Sequence, residues 1–165
     1  MRRRHPELNV WLFTDPRLGS DLLGIVRRMP RGSGVVFRHH ELAPAKRQVL
    51  LRQVRRVAAA RQLRVVDDVG GRGARVHSAR ELRRALSRRP ELLFVSPLFE
   101  TRSHPEWRSL GRMRAAALVR LAGPPVLALG GMDARRFTRI KPLGFAGWGG
   151  IDAWTGLEAR GPSRE

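Results

Sequence analysis

Residues 92–111 read LLFVSPLFETRSHPEWRSLG, and this stretch decides the fold class. The apolar run LLFV at 92–95 is typical of a parallel strand that is buried on both faces. Ser96-Pro97 ends the run, and a loop of hydroxyl and cationic side chains follows from Thr101 to His104. A buried strand that ends in such a loop predicts an anion site at the carboxyl edge of a parallel sheet.

Two later segments repeat this arrangement. VLAL at 126–129 ends in Gly130-Gly131, and GWGGI at 147–151 ends in Asp152. Because the carboxyl ends of parallel strands meet at one edge of a sheet, the three strand ends predict a single shared site.

The whole chain alternates short apolar strands with amphipathic helices, which is the pattern of an α/β protein. We predict strands over 10–14, 34–38, 63–66, 74–77, 92–96, 125–129 and 146–151. We predict a helix capped by Ser20, one from Pro44 to about Gln62, one capped by Ser78, one over 112–121 and one from Asp133 to about Ile140. The arginines of the longest helix, Arg47 among them, are predicted to lie mostly away from its apolar face.

One spacing departs from this alternation. Only seven residues separate Val66 from Ala74, whereas a parallel crossover takes about a dozen or more. We therefore predict a TIM-type (β/α)₈ barrel that is shortened by one β-α unit near residues 67–74, or an open sheet derived from one. The 165 residues favour a single domain, with the barrel core at about 8–154 and a frayed tail at 156–165.

The composition limits the classes of function. The net charge is +19, and only Lys46 and Lys141 are lysines, so arginine supplies the rest of the 33 basic residues. They are spread along the chain, which favours non-specific rather than dedicated nucleic-acid binding. Cysteine is absent, and no apolar run is long enough to cross a membrane. These features favour a cytoplasmic protein.

Six segments, in chain order, resemble motifs of the thiamine phosphate synthase family. They are WLFTD at 11–15, VFRHH at 36–40, HSARE at 77–81, SPLFETRSH at 96–104, ALGGM at 128–132 and GFAGWGGI at 144–151. The resemblance implies a (β/α)₈ barrel that joins hydroxymethylpyrimidine diphosphate to thiazole phosphate, with release of pyrophosphate. It also implies Mg²⁺ bound at the diphosphate.

The resemblance carries roles onto particular residues of this chain. It implies that Arg38, His40 and His104 are catalytic, and that Arg38, Thr101, Ser103 and His104 bind the diphosphate. It implies that Asp68 and Asp67 are ligands of Mg²⁺. The residues that it assigns to the thiazole phosphate are Gly130, Gly131, Gly149, Gly150 and Ile151.

The chain also departs from the family pattern. The fourth-strand motif G-V-H-L-G-Q-x-D is absent. His40 and His104 stand where the family has lysine, and Arg75 stands where it has serine. These changes predict a weakened Mg²⁺ site and leave three alternatives open. They are a non-catalytic paralogue that binds a phosphorylated ligand, a thiazole tautomerase-like protein using His40, His77 or His104, and a basic nucleic-acid-associated protein. A missing strand would leave an edge on which a homodimer can form.

Overall fold

The computed structural model describes residues 10–70, 73–100, 106, 108–123 and 125–155. Its strands are β1 (Val10–Phe13), β2 (Gly34–Phe37), β3 (Arg64–Asp67), β4 (Gly73–Val76), β5 (Leu92–Val95), β6 (Val126–Ala128) and β7 (Gly147–Gly150). Its α-helices are α1 (Leu22–Arg28), α2 (Pro44–Ala60), α3 (Ala79–Leu86), α4 (Arg112–Leu121) and α5 (Ala134–Ile140). Every strand lies within one residue of its prediction at each end.

All seven strands form one parallel sheet in the order β3-β2-β1-β7-β6-β5-β4. Phe13 on β1 meets Phe94 on β5 edge to face at 4.8 Å, although two strands separate β1 from β5 in the sheet. This contact requires the sheet to curl on itself. The fold is a TIM-like half-barrel with helices outside, which confirms the predicted fold class.

The inner face of the curled sheet is filled by side chains. Its buried cluster consists of Trp11, Phe13, Val36, Val66, Leu92, Phe94 and Leu127. Two glycines make room for its rings, because a Cβ at Gly34 would lie 2.3 Å from the Trp11 ring and one at Gly149 would lie 2.6 Å from the Phe13 ring. The interior beneath the strand ends is therefore a packed core, as in other barrels of this type.

The missing β-α unit leaves an opening between β3 and β4, the two ends of the sheet. Residues 68–72 connect these strands, and five residues reach at most about 17 Å. That length is enough because each strand has four residues and so rises only about 13 Å. The predicted absence of one unit near residues 67–74 is confirmed.

The helices pack on the outer face of the sheet, and their starts test the predicted caps. Ser78 accepts a hydrogen bond from the Glu81 amide at the start of α3, and Asp133 accepts one from the Arg136 amide at the start of α5, so both predictions are confirmed. The predicted cap at Ser20 is wrong. Asp15 instead caps a 3₁₀ segment, Pro16–Asp21, that precedes α1, because Pro16 has the φ that favours a first helical position. Among the described residues, no helix has the length and apolar composition needed to cross a membrane.

Candidate functional site at the carboxyl ends of the strands

The carboxyl ends of the seven strands gather charged side chains and glycine turns around one opening, which we call the mouth. Its charged members are Asp15, Arg17, Arg38, His40, Asp68, Arg75, His77 and Asp152. Its turns contain Gly130, Gly131 and Ile151. This is the end at which barrels of this type carry their active sites.

Arg38 is the central cation of the mouth. Its amide donates to the buried Thr14 hydroxyl at 2.8 Å, which ties the end of β2 to the end of β1. The Arg38 side chain is half-buried, and its Nε is buried without a hydrogen-bond partner among the described residues. Burial lowers the pKa of Arg38, and repulsion by Arg75 lowers it further, while Asp68 and Asp15 oppose these effects. A buried, unpaired guanidinium donor of this kind is suited to a bound anion.

Arg17 links the two strands on the other side of the mouth. Its Nε lies 2.9 Å from Oδ1 of Asp15, after β1, and its Nη1 lies 3.5 Å from Oδ1 of Asp152, after β7. Burial raises the pKa of Asp15, but the hydrogen bonds from Arg17 outweigh it, so that the pKa lies below its ordinary value. Asp15 is therefore a carboxylate that already has a cationic partner.

Asp67, at the end of β3, faces outward and belongs to a structural ion pair. Arg47 of α2 donates to both of its carboxylate oxygens, at 3.2 and 2.5 Å. The same guanidinium donates to the carbonyl of Arg38 and lies 4.9 Å from the centre of the Phe37 ring. The prediction that Arg47 lies away from the packed face of α2 is wrong, because its length lets it reach across the strand ends from a buried position.

Asp68 faces the mouth, one residue further along the chain. Its Oδ2 lies 3.0 Å from Nε2 of His40, and its side chain is 18 % exposed against 50 % for His40. The imidazole thus covers the carboxylate from the solvent side. His39 lies on the opposite face, against the Phe37 ring and 2.9 Å from Glu41. The structure therefore brings Arg38, His40 and Asp68 together, as the alternation of faces along β2 predicts.

A second histidine–carboxylate pair follows β4. Nδ1 of His77 lies 2.8 Å from Oε2 of Glu81, and the His77 amide donates to the same oxygen at 2.9 Å. Burial raises the pKa of Glu81, but the hydrogen bonds from His77 prevail and the pKa is lowered. The carboxylate fixes the orientation of the imidazole, which is the arrangement that proton-transferring histidines use.

The glycine turn after β6 presents open amides. Gly130 and Gly131 have φ values of +91° and +59°, which favour glycine. A Cβ at Gly131 would meet the carbonyl of Glu100 at 2.4 Å, so the turn packs closely against the loop that follows β5. Within the described part of the chain, the amides of Gly130, Gly131 and Ile151 donate to no acceptor. Gly149 and Gly150, which the resemblance also assigns to the thiazole phosphate, lie within β7 itself.

Three predicted diphosphate ligands, Thr101, Ser103 and His104, lie outside the described residues. The described start of their loop is held to the glycine turn, because Leu98 and Phe99 donate to the carbonyls of Leu129 and Gly130 at 2.9 and 3.2 Å. The loop therefore begins beside that turn.

The mouth fits a magnesium ion poorly. Among the described residues, no three histidine or acidic side chains lie close enough together to hold a metal. Asp67 is bound to Arg47, Asp15 to Arg17 and Asp68 to His40. Mg²⁺ prefers oxygen ligands, with one or two free carboxylates besides substrate phosphates. Asp68 is the better placed of the two predicted ligands, because Asp67 is held by Arg47 on the outer face.

Sequence reasoning did not single out the roles of Asp15 and Arg17, and it treated Arg75 only as a departure from the family. A simple signal marks all three. Asp15 and Arg17 follow a buried strand directly, and Arg75 alternates along β4 with Ala74 and Val76, which pack in the outer core. The alternation places Arg75 on the inner face.

Comparison with known proteins agrees with this architecture. Residues 72–153, about half of the chain, match the family model described as thiamine monophosphate synthase. No curated protein matches the sequence. The thiamine phosphate pyrophosphorylase of Pyrococcus furiosus is similar in structure, with a TM-score of 0.74 and 19 % identity over 89 % of this chain and 87 % of that one.

Two further solved structures are less similar. A FabK mutant from Thermotoga maritima has a TM-score of 0.44 and 17 % identity over 89 % of this chain and 43 % of that one. The native KDPGal structure has a TM-score of 0.48 and 15 % identity over 97 % of this chain and 88 % of that one. With its family match, its strand order and its missing β-α unit, this chain belongs to the thiamine monophosphate synthase family as a shortened and divergent member.

Proposed function

We propose that the protein is a thiamine phosphate synthase-like transferase of thiamine biosynthesis, which joins hydroxymethylpyrimidine diphosphate to thiazole phosphate. The observation that supports this most directly is the buried Nε of Arg38, which has no partner among the described residues and lies at the carboxyl end of the barrel. A departing pyrophosphate is an anion that gains charge in the transition state, and preorganised donors around it lower the barrier.

In this proposal, each of the two phosphorylated substrates binds at a different side of the mouth. Arg38, with Thr101, Ser103 and His104 as predicted further ligands, receives the diphosphate. The open amides of Gly130, Gly131 and Ile151 receive the thiazole phosphate. Phosphate sites after the last two strands recur across this fold. The two phosphates then lie on different strands, with the reacting atoms between them.

Product formation tests the proposal. Purified protein with both phosphorylated precursors and Mg²⁺ is expected to form thiamine phosphate above a no-enzyme control, and the gene to restore growth of a thiamine auxotroph. Arg38→Met is expected to lower kcat/KM at least 30-fold. Arg52→Met, on the exposed side of α2, removes the same charge away from the mouth and is expected to leave the rate unchanged. Absence of product from wild-type protein would reject the synthase function.

The two histidine–carboxylate pairs favour a thiazole tautomerase-like protein as the second candidate. His40–Asp68 and His77–Glu81 each hold an imidazole in a fixed orientation near the mouth. Tautomerisation needs an acid and a base, and no diphosphate chemistry. Tautomerase activity that His77→Gln abolishes, together with no synthase activity, would establish this alternative.

The remaining expectations are proposals with simple tests. A non-catalytic paralogue would bind thiazole phosphate in calorimetry without turnover. A dedicated nucleic-acid protein would bind a random duplex at physiological salt, whereas we propose only non-specific binding that salt weakens. We also propose a cytoplasmic location. A homodimer through the open edges of β3 and β4 is tested by sedimentation.

A further inference from the structure

We infer that the mouth holds its diphosphate between two arginines, Arg38 and Arg75, and that this binding does not require a divalent cation. The inference rests on the proposed function, because it assumes a diphosphate ligand at the mouth. It goes beyond that function by assigning a binding role to Arg75 and by removing the metal from the binding step.

Arg38 approaches the ligand from β2. Its position is fixed by the hydrogen bond between its amide and the Thr14 hydroxyl, and its carbonyl accepts from Arg47 on the outer face. Burying a guanidinium donor without an acceptor has a cost in free energy. A phosphate oxygen at Nε would remove that cost, so the arginine is prepared for an anion.

Arg75 approaches from β4, the edge strand beside the opening. Its side chain is exposed because the missing β-α unit leaves this edge uncovered. Arg75 lines a cleft of about 490 Å³ in the barrel wall, together with Asp68 and His77 from the mouth and Arg84 and Arg88 from α3 and the residues after it. The cleft therefore adjoins the mouth, and its charged lining consists of three arginines and the carboxylates of Asp68 and Glu81.

Arg38 and Arg75 repel each other, and neither is paired with a carboxylate in the described part of the chain. Arg75 lines one cleft with Asp68, and Asp68 lies next to Arg38 because β2 and β3 pair up to Phe37 and Asp67. Repulsion by Arg75 also contributes to the lowered pKa of Arg38. Among the described residues, neither has a carboxylate within 4.0 Å. The nearby carboxylates are held by Arg17, His40 and Arg47. Asp68 and Asp15 act on Arg38 only from a distance, so two like charges without a directly paired carboxylate among the described residues indicate a site for an anion of higher charge.

A pair of arginines can provide the positive charge and the contacts to phosphate oxygens that a divalent cation provides to a diphosphate. Each guanidinium is a planar fork that donates two parallel hydrogen bonds to phosphate oxygens. Two of them bring a charge of +2 and up to four directed donors. A magnesium ion at Asp68 would instead enter the repulsive field of both arginines, beside a carboxylate already paired with His40.

Calorimetry with inorganic pyrophosphate tests the inference on the full chain. At physiological salt with EDTA, wild-type protein is expected to bind pyrophosphate, and replacing EDTA by millimolar Mg²⁺ is expected to change the Kd less than threefold. Arg75→Gln is expected to weaken binding in EDTA at least tenfold. Arg52→Gln, which removes one exposed positive charge from α2, is expected to leave the Kd within twofold of wild type.

Three results would overturn the inference. The first is binding that appears only with Mg²⁺, and the second is an Arg75→Gln variant that binds as wild type does. Arg75 is exposed, so its replacement is expected to leave the thermal midpoint unchanged, which circular dichroism checks. If pyrophosphate binds in neither condition the inference is also overturned, and thiamine phosphate formation in the synthesis assay then decides the proposed function separately.

Discussion

At the ends of β2 and β3, each face of the sheet carries an arginine near an aspartate. The arginine on the outer face is hydrogen-bonded to its aspartate, whereas the arginine on the inner face is not. On the outer face, Arg47 makes two hydrogen bonds to Asp67 and two to the carbonyl of Arg38. On the inner face, Arg38 keeps a buried Nε without a partner, although Asp68 is near enough to affect its pKa. The two carboxylates belong to adjacent residues, Asp67 and Asp68.

The pKa values of the two arginines express this difference. The hydrogen bonds that Arg47 donates to Asp67 raise the pKa of Arg47, whereas burial and the repulsion of Arg75 lower the pKa of Arg38. A cation stabilised by its own protein contributes to folding. A cation that the protein leaves unsatisfied contributes to binding, because the anion that completes it comes from outside. The outer pair is therefore structural, and the inner arginine is part of the site.

The largest expected effect is the loss of stability in Arg47→Met. The substitution removes four hydrogen bonds and leaves Asp67 without its partner, and breaking a largely buried ion pair costs about 3 kcal/mol. Urea unfolding at pH 7 measures the free energy. Arg52→Met is the control on the same helix, with an expected change below about 0.5 kcal/mol. Equal stabilities for the two variants would contradict a structural role for the outer pair.

The next effect is on binding, and it comes from Arg38→Met. Loss of the inner guanidinium is expected to weaken pyrophosphate binding about 30-fold, which corresponds to about 2 kcal/mol. The unfolding free energy is expected to stay the same or rise slightly, because the substitution removes a charge whose burial is not compensated. Calorimetry and urea unfolding measure the two quantities on one preparation. A stability loss as large as that of Arg47→Met would remove the distinction between the two faces.

The elements of this fold follow closely from the sequence. The runs LLFV at 92–95 and VLAL at 126–129 are bounded by Pro97 and Gly130, so hydrophobic pattern and turn residues agree on each strand. Ser78 and Asp133 are caps that act through contacts within one helical turn. The spacing from Val66 to Ala74 reveals the missing unit because chain length limits any crossover.

The roles of the arginines could not be predicted in the same way. Arg47 looks like a solvent-facing residue in a helical pattern that counts every arginine as polar. Its true partners, Asp67 and the carbonyl of Arg38, are 20 and 9 residues away in sequence. The alternation of faces along β2 and the family resemblance do predict Arg38 as a site residue. Its lowered pKa follows from burial and from repulsion by Arg75, which belongs to a strand at the other end of the sheet.

The smallest expected effect is a pH dependence that separates the two carboxylates. The hydrogen bonds from Arg47 hold the pKa of Asp67 below its ordinary 3.8, so the unfolded chain takes up this proton at a higher pH than the folded chain does. The stability that Asp67 contributes is thus complete well above pH 3.8 and is lost as the pH falls through the lowered pKa.

Asp67→Asn is expected to be about 1.5 kcal/mol less stable than wild type at pH 7. That gap is expected to close as the pH falls toward 3, because a protonated Asp67 pairs with Arg47 no better than an asparagine does. Urea unfolding at pH 7, 5, 4 and 3 measures the gap. Asp68→Asn is the matched variant on the inner face. Because it retains Asp67, its stability is expected to show the same loss in acid that Asp67 causes in wild type. A gap that stays constant down to pH 3 would mean that the outer pair does not stabilise the fold through its charge, and the contrast between the two faces would then rest on Arg38 alone.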